Sequence, residues 1–176
     1  MLEIIIGIIV CICFLLFIIV IINNKFKFAV IKIEKAEEDI NIYLQKKKEL
    51  LDRTIPVIKK ELKLKEFLND LDLYNDEMNN FDKNDLLKKV DNDLFKTIDE
   101  NEKLYKSDSL VTILNSLSDN EENVVGAIRF YNDTVVDYNK LVISFPTNII
   151  ALFKGCRKKE FYNNEKRVMF EILNEK

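Results

Sequence analysis

The sequence contains no histidine and no tryptophan, and it has only three glycines, two prolines and three cysteines. Without histidine, Cys156 has no imidazole base, and the Glu-x-x-His pairs of di-iron helical bundles are impossible. Gly7, Gly126 and Gly155 are isolated along the chain, so no glycine-rich loop can hold a phosphate group. Two of the three cysteines lie inside an apolar segment, which excludes a disulfide framework.

The charge balance excludes further classes of function. A net charge of −3 is too small for a protein that binds nucleic acid over its whole surface. The central region between Glu66 and Glu102 carries twelve acidic residues against four lysines, and these carboxylates are expected on solvated helix faces. A metal site would need a carboxylate cage there, which the spacing does not predict. We therefore expect no enzymatic activity, no cofactor, no metal site and no nucleic-acid partner.

An unbroken apolar segment runs from Ile4 to Ile22. About 19 residues form roughly 28 Å of helix, which is long enough to cross a bilayer. A cleaved signal peptide is the competing interpretation, but it would have positive charge before the apolar residues, where this chain has only Met1-Leu2-Glu3. The sequence predicts a retained transmembrane anchor over residues 1–24.

Positive charge follows the apolar segment and does not precede it. Lys25, Lys27, Lys32 and Lys35 come soon after the span, and no lysine or arginine comes before it. The positive-inside rule then predicts a single-pass protein of the cell membrane, with its N-terminus outside and the rest in the cytoplasm.

Beyond the span, apolar residues recur at spacings of three and four, as in helices. A first helix is expected to continue from the membrane to about Leu51 along a heptad seam in which Lys47 is the polar exception. The turn-like stretch 52–56, with Pro56 in a first helical turn, predicts a second helix that ends around Asn79. A third helix follows and ends at Ser107.

The last long segment runs from about Leu110 to Ser144. Residues 118–121 resemble a capping box, which would begin a separate helix there, but the spacing continues through them and favours one helix. No alternating strand pattern competes. The sequence predicts an all-α fold: an N-terminal transmembrane helix, then an up-and-down antiparallel four-helix bundle over residues 25–155 and a basic tail over 156–176.

Two Tyr-Asn pairs and a Phe-Pro pair follow each other at seven-residue steps: Tyr131-Asn132, Tyr138-Asn139 and Phe145-Pro146. A step of seven is about two helical turns, so both Tyr-Asn pairs share the same faces of one helix until proline ends it. The stretch GAIRFYNDTVVDYNKLVISFPTNIIALFKGCRKKEFY resembles the C-terminal signature of the LemA family of bacterial membrane proteins. The segment IYLQKKKELLDRTIPVI resembles the basic stretch and Leu-Ile-Pro motif of that family, with Thr54 in place of the usual leucine.

The resemblance covers most of the chain, although residues 59–123 match in pattern only. It implies a membrane-anchored helical bundle with no established catalytic site or cofactor, associated with other membrane or envelope proteins. Where the family often has Gly-Phe after the Phe-Pro motif, this chain has Gly155-Cys156.

Five polar and aromatic residues on the last long helix form the first candidate site. We expect them to form an internal hydrogen-bond network that fixes the register of the bundle. The alternative is a polar groove for a ligand or peptide. These residues are Arg129, Tyr131, Asn132, Tyr138 and Asn139.

An apolar cluster followed by basic residues forms the second candidate site. Apolar side chains beside lysines suit an interfacial contact with an anionic leaflet. The alternative is that the cluster covers the open end of the bundle core. Its members are Phe145, Ile149, Ile150, Leu152 and Phe153, followed by Lys154, Arg157, Lys158 and Lys159.

The sequence thus favours a membrane-anchored interaction or scaffold protein of the bacterial cell envelope. Its expected partners are membrane lipid, through the N-terminal helix, and other membrane or envelope proteins. The alternative is a ligand- or peptide-binding module that uses the polar groove. The oligomeric state stays open.

Overall fold

The computed structural model describes residues 1–162, and this part of the chain is helical without any strand. Its four α-helices are α1 (Leu2–Leu62), α2 (Asn80–Asp99), α3 (Asp108–Ile143) and α4 (Thr147–Lys154). Short 3₁₀ helices, Asn69–Leu73 and Glu102–Lys106, precede and follow α2. The all-α prediction is confirmed, while the antiparallel bundle arrangement stays a prediction.

Helix α1 begins with the apolar segment. This segment is long and apolar enough to cross a membrane, and its residues before Ile22 are not buried inside the protein. Burial of α1 begins where the apolar segment ends, at Ile22, and continues with Phe26, Ala29 and Ile33 at spacings of four, three and four. The helix is therefore compatible with a single-pass membrane anchor whose following turns pack against protein.

The predicted break at residues 52–56 is wrong, because α1 continues through Pro56 to Leu62. Leu51, Thr54 and Ile58 lie on one face and are fully buried. The Thr54 hydroxyl donates to the Leu50 carbonyl at 2.9 Å, inside the helix, and does not cap a new one. A proline inside a helix costs about 3 kcal/mol, and burial of this face offsets that cost.

The predicted second helix does not form as a separate element. Lys63 and Leu68 have φ values of 53° and 54°, in the left-handed region that ends a helix. After them the chain forms only the 3₁₀ helix Asn69–Leu73 before α2. The side chain of Asn79 accepts from the Asp82 backbone amide at 2.9 Å and caps α2. Helix α2 ends at Asp99, eight residues before the predicted end at Ser107.

The prediction of one continuous last helix is confirmed, since α3 passes through residues 118–121 without a break. Within this stretch Asn120 is buried and donates from Nδ2 to the Tyr43 carbonyl of α1 at 3.0 Å. The Phe145-Pro146 pair follows the end of α3, as predicted, and the chain then forms α4.

The chain divides into two compact units. Unit 1 comprises residues 1–36 and 130–176, and unit 2 comprises residues 37–129. In the part of unit 1 that is described, α1 and α3 supply most of the buried apolar residues. In unit 2, α1, α2 and α3 supply most of them. The predicted boundaries after residues 24 and 155 stay predictions, and residues 163–176 of the predicted tail lie outside the described residues.

Candidate functional site

The Tyr-Asn repeat of α3 lies in the buried interior of unit 1. Tyr131, Asn132, Tyr138 and Asn139 are all at least 95% buried. Two asparagines without solvent must find partners for their amide groups, because an unpaired buried amide costs about 1–3 kcal/mol. The non-helical segment that follows α4 supplies those partners.

Asn139 binds the backbone of Lys159 in both directions. Its Nδ2 donates to the Lys159 carbonyl at 3.0 Å, and its Oδ1 accepts from the Lys159 amide at 2.8 Å. The side-chain amide thus pairs with one residue's main chain, in the manner of a strand partner. Since both bonds go to backbone atoms, this contact does not depend on the side chain at position 159.

Asn132 makes the second contact, seven residues earlier on α3. Its Oδ1 accepts from the Tyr162 amide at 2.9 Å. Seven residues of helix rise about 10.5 Å, and three residues of extended chain span about 10 Å. The seven-residue repeat therefore matches the reach of the non-helical segment Lys159–Tyr162, whose contacts with Asn139 and then Asn132 run antiparallel to α3. This match gives a physical reason for the spacing of the two Tyr-Asn pairs.

Tyr131, the tyrosine beside Asn132, also contacts the segment Lys159–Tyr162. Tyr131 donates from its hydroxyl to the Glu160 carbonyl at 3.2 Å, and its ring meets the Tyr162 ring edge to face, with centroids 5.0 Å apart. Tyr131 and Asn132 therefore contact the segment at Glu160 and Tyr162. Tyr131 contributes both a hydrogen bond and an aromatic contact, as buried tyrosines commonly do.

Tyr138 joins α3 to α1 and to the chain after α4. Its ring packs edge to face on Phe26, with centroids 6.2 Å apart. Burial raises the pKa of the Tyr138 hydroxyl above its usual 10, and the neighbouring Cys156 thiol raises it further. The hydroxyl is therefore neutral at physiological pH and serves as a hydrogen-bonding group.

Arg129, the fifth predicted member of this set, is exposed and lies in unit 2. The structure therefore brings together the two asparagines and two tyrosines, and it places the chain's own segment Lys159–Tyr162 against them. Whether these residues serve as an internal polar seam or as a groove for a ligand stays a prediction.

The second candidate site contains α4, a helix of eight residues. Gly155 ends it with φ +65°, a left-handed conformation that glycine adopts without strain, and the Cys156 amide then donates to the Ala151 carbonyl at 2.9 Å. This C-cap turns the chain toward the segment held by Asn139.

The apolar residues of the second candidate site are largely exposed. Phe145, Leu152 and Phe153 are 80%, 80% and 86% exposed, and Ile149 is about half exposed. Ile150 is half-buried. The basic residues Lys154, Arg157, Lys158 and Lys159 all have exposed side chains.

A polar contact joins α4 to α1 within unit 1. Lys154 Nζ donates to Asn23 Oδ1, and Asn23 is the first polar residue after the apolar segment of α1. Ala151 lies one turn before Lys154 on the same side of α4, and it is buried. The exposed apolar face of α4 thus belongs to the part of unit 1 where the apolar segment of α1 ends.

Unit 2 contains a different polar cluster, an ion triad that joins three helices. Lys47 of α1 is 98% buried, and its ammonium group contacts Asp91 of α2 and lies 2.6 Å from the Glu121 carboxylate of α3. Asp91 and Glu121 have side chains that are 14% and 37% exposed. The polar exception in the predicted heptad seam is therefore the centre of a buried charge network.

Burial raises the pKa of Asp91 above its usual value, and the negative charge of Glu121 adds to that rise. The positive charge of Lys47 and its hydrogen bond partly offset it. The desolvation penalty of the Asp91 carboxylate thus exceeds its electrostatic attraction to Lys47. This imbalance is common for buried ion pairs.

Each unit also contains an open cleft. In unit 2 a cleft of about 430 Å³ is lined by Gln45, Lys48, Glu49, Tyr74, Asn75 and Asp76. In unit 1 a cleft of about 420 Å³ is lined by Lys25, Phe28, Ala29, Lys32, Thr134, Asp137, Lys140 and Leu141. Among residues 1–162 no group of three cysteine, aspartate or glutamate side chains could hold a metal ion.

Sequence reasoning missed two features of these sites. The ion triad had a signal in the sequence, because Lys47 is a charged residue in an apolar seam and a buried lysine requires carboxylate partners. The occupant of the Tyr-Asn seam had no such signal, because Asn132 and Asn139 bind backbone groups that any sequence supplies.

One protein family is similar in sequence to most of this chain. The model of the LemA family matches residues 36–171. This range includes α2, α3, α4 and both polar clusters. No curated protein and no solved structure matches the chain.

Proposed function

Because the chain belongs to the LemA family, whose model matches residues 36–171, we propose that it is a membrane-anchored interaction protein of the bacterial cell envelope. In this proposal α1 spans the membrane once, and unit 2 binds other membrane or envelope proteins. No catalysis is part of the proposal.

The observation that carries the proposal is the continuity of α1. Its first turns are apolar and unburied, and the same helix, without a break at Pro56, supplies buried residues to unit 2 as far as Ile58. A single helix of 61 residues therefore contains both the candidate span and part of the folded core. Such a helix tethers unit 2 to a bilayer.

The surface of unit 2 suits a protein partner. The unit carries 15 lysine and arginine residues against 22 aspartate and glutamate residues, so it would attract basic surfaces. Phe95 and Tyr105 are about half exposed on it. Aromatic side chains at the surface are enriched in protein interfaces, where they supply much of the binding free energy.

The orientation and the arrangement of the helices are parts of the same proposal. The four lysines that closely follow the span favour a cytoplasmic unit 2. The contacts from Lys47 to α2 and α3 support an arrangement in which these helices pack side by side in unit 2.

Site-specific photocrosslinking in intact cells tests the proposal. A benzophenone amino acid replaces Phe95 or Tyr105 in the full chain, and crosslinked products are isolated from membranes and identified by mass spectrometry. We expect both positions to capture the same membrane or envelope protein, because both lie on the exposed surface of unit 2.

The matched control places the benzophenone at Phe14, in the apolar segment of α1, where lipid is the expected neighbour. Products at Phe95 and Tyr105 that contain only copies of this chain, or none, would contradict the proposal. A peptide-binding function would require displacement of Lys159–Tyr162 from the asparagines that hold it.

A further inference from the structure

We propose that α4 lies in the headgroup region of the same membrane that α1 spans, with its exposed apolar face in the lipid. This inference rests on the proposed anchoring of α1, and it assigns to unit 1 a second contact with the bilayer. The ligand is a lipid surface with anionic headgroups.

The exposed apolar residues of α4 share one face. Ile149, Leu152 and Phe153 have the spacing i, i+3 and i+4, so they are neighbours on the helix surface. Phe145 lies in the turn before α4 and is also exposed. Ala151 lies two residues from both Ile149 and Phe153, about 200° around the helix, and it is buried against unit 1. One face of α4 thus packs on protein and the other presents large apolar side chains outward.

The contact between Lys154 and Asn23 sets the depth of this face. Asn23 follows the last residue of the apolar segment, so it marks the level where α1 leaves the hydrocarbon region. A helix held at that level by its own side chain lies at the lipid–water boundary. Interfacial helices bury their apolar face about 5–10 Å into the boundary between headgroups and acyl chains.

Positive charge surrounds the same part of unit 1. Lys25, Lys27, Arg157 and Lys158 are exposed. The cleft beside them is lined by three lysines and one aspartate. Lysine and arginine near an anionic leaflet each add favourable electrostatic free energy, which explains why the apolar face is followed by basic residues.

The absence of tryptophan from the sequence allows a direct test. A single tryptophan replaces Phe153 in the full chain, and the protein is reconstituted into vesicles that contain anionic lipid. Lipids brominated near the carbonyl end of the acyl chain quench tryptophan only within a short distance. We expect Phe153→Trp to have blue-shifted emission and to lose most of it with these lipids.

Three further single-tryptophan variants make the result specific. Ile149→Trp, on the same face, should be quenched like Phe153→Trp. Phe95→Trp, in unit 2, should keep its emission. Phe14→Trp should be quenched by lipids brominated deeper in the chain if α1 spans the bilayer.

The outcomes separate the two proposals. If Phe14→Trp is quenched and Phe153→Trp is not, the anchoring holds and the inference about α4 is overturned. If Phe153→Trp has blue-shifted but unquenched emission, a protein surface covers α4, and the inference is again overturned. Equal quenching of Phe95→Trp would also overturn it, and loss of quenching at Phe14→Trp would contradict the anchoring itself.

Discussion

The two units of this chain differ in the charge of the polar groups at their main buried clusters. Unit 2 buries charge: Lys47 lies between Asp91 and Glu121 and joins three helices through long side chains. Unit 1 buries neutral amides: Asn132 and Asn139 of one helix bind the main chain of the segment Lys159–Tyr162. A paired charge still loses hydration free energy when it is buried. A buried amide that hydrogen-bonds to backbone groups loses less, because the amide and the backbone group are neutral and each gains a hydrogen-bond partner.

The units also differ in net charge and in exposed surface. Unit 1 has 12 basic against 8 acidic residues, and most of the exposed large apolar side chains of residues 1–162 belong to it. Unit 2 is acidic and exposes few large apolar side chains. Apolar surface with positive charge suits an anionic bilayer, and acidic surface suits a basic protein. Under the two proposals, unit 1 would contact lipid and unit 2 would bind protein partners.

The largest expected effect comes from removal of the buried charge in unit 2. Lys47→Met leaves Asp91 in a buried site with Glu121 and no cation between them. Breaking a buried ion pair in this way costs about 3 kcal/mol, which corresponds to a melting temperature roughly 6–12 °C lower for a chain of this size. Thermal unfolding in detergent, followed by circular dichroism, measures it.

The neighbouring residue supplies the control. Lys48 pairs with Asp52 on the surface at 2.6 Å, with side chains 34% and 45% exposed. Lys48→Met should therefore lower the stability by no more than about 0.5 kcal/mol. Equal melting temperatures for Lys47→Met and Lys48→Met would show that the triad does not stabilise unit 2.

A smaller and local effect is expected in unit 1. Asn139→Ala removes two hydrogen bonds to the Lys159 backbone, worth about 1 kcal/mol each. Local release of the segment after α4 should then be roughly 30-fold more populated, since each 1.4 kcal/mol is about tenfold. Trypsin cleavage after Arg157, Lys158 or Lys159, followed by mass spectrometry, measures this population when cleavage is slow.

Asn123→Ala makes the same chemical change on the same helix without touching the segment. Asn123 is exposed and its amide donates only to the Asp119 carbonyl at 2.8 Å among the bonds described. Its cleavage rate in the region of Arg157 should match that of the unaltered chain. If Asn139→Ala is also cleaved at that rate, the seam does not hold the segment.

The sequence predicted those features that depend on residues close along the chain. The continuity of α3 through residues 118–121 and its end before Phe145-Pro146 follow from local spacing and from proline. The break predicted at Pro56 failed because tertiary packing of Leu51 and Ile58 outweighs the local preference of proline.

The polar sites were only half predictable for the same reason. The spacing of Asn132 and Asn139 singled out these two residues, but their partners are backbone groups 30 and 20 residues away, which carry no sequence signature. Lys47 was visible as an exception in its seam, but its partner Glu121 lies 74 residues later. A long-range pair of common residue types cannot be singled out from one sequence.

The smallest expected effect is a dependence on pH that belongs to unit 2. The pKa of Asp91 is raised in the folded chain, mainly by burial and further by Glu121, with Lys47 as the opposing charge. The folded state therefore favours the protonated carboxyl. Its contribution to stability is fully present below the unfolded pKa of about 3.8, and it is lost as pH rises through the folded pKa.

Asp91→Asn cannot titrate, so the melting temperature of the unaltered chain should fall relative to that of Asp91→Asn as pH rises from strongly acidic values toward neutrality. The slope of the free-energy difference cannot exceed about 1.4 kcal/mol per pH unit. A constant difference between the two proteins across this range, or one that grows in favour of the unaltered chain, would show that the attraction of Lys47 exceeds the desolvation of Asp91.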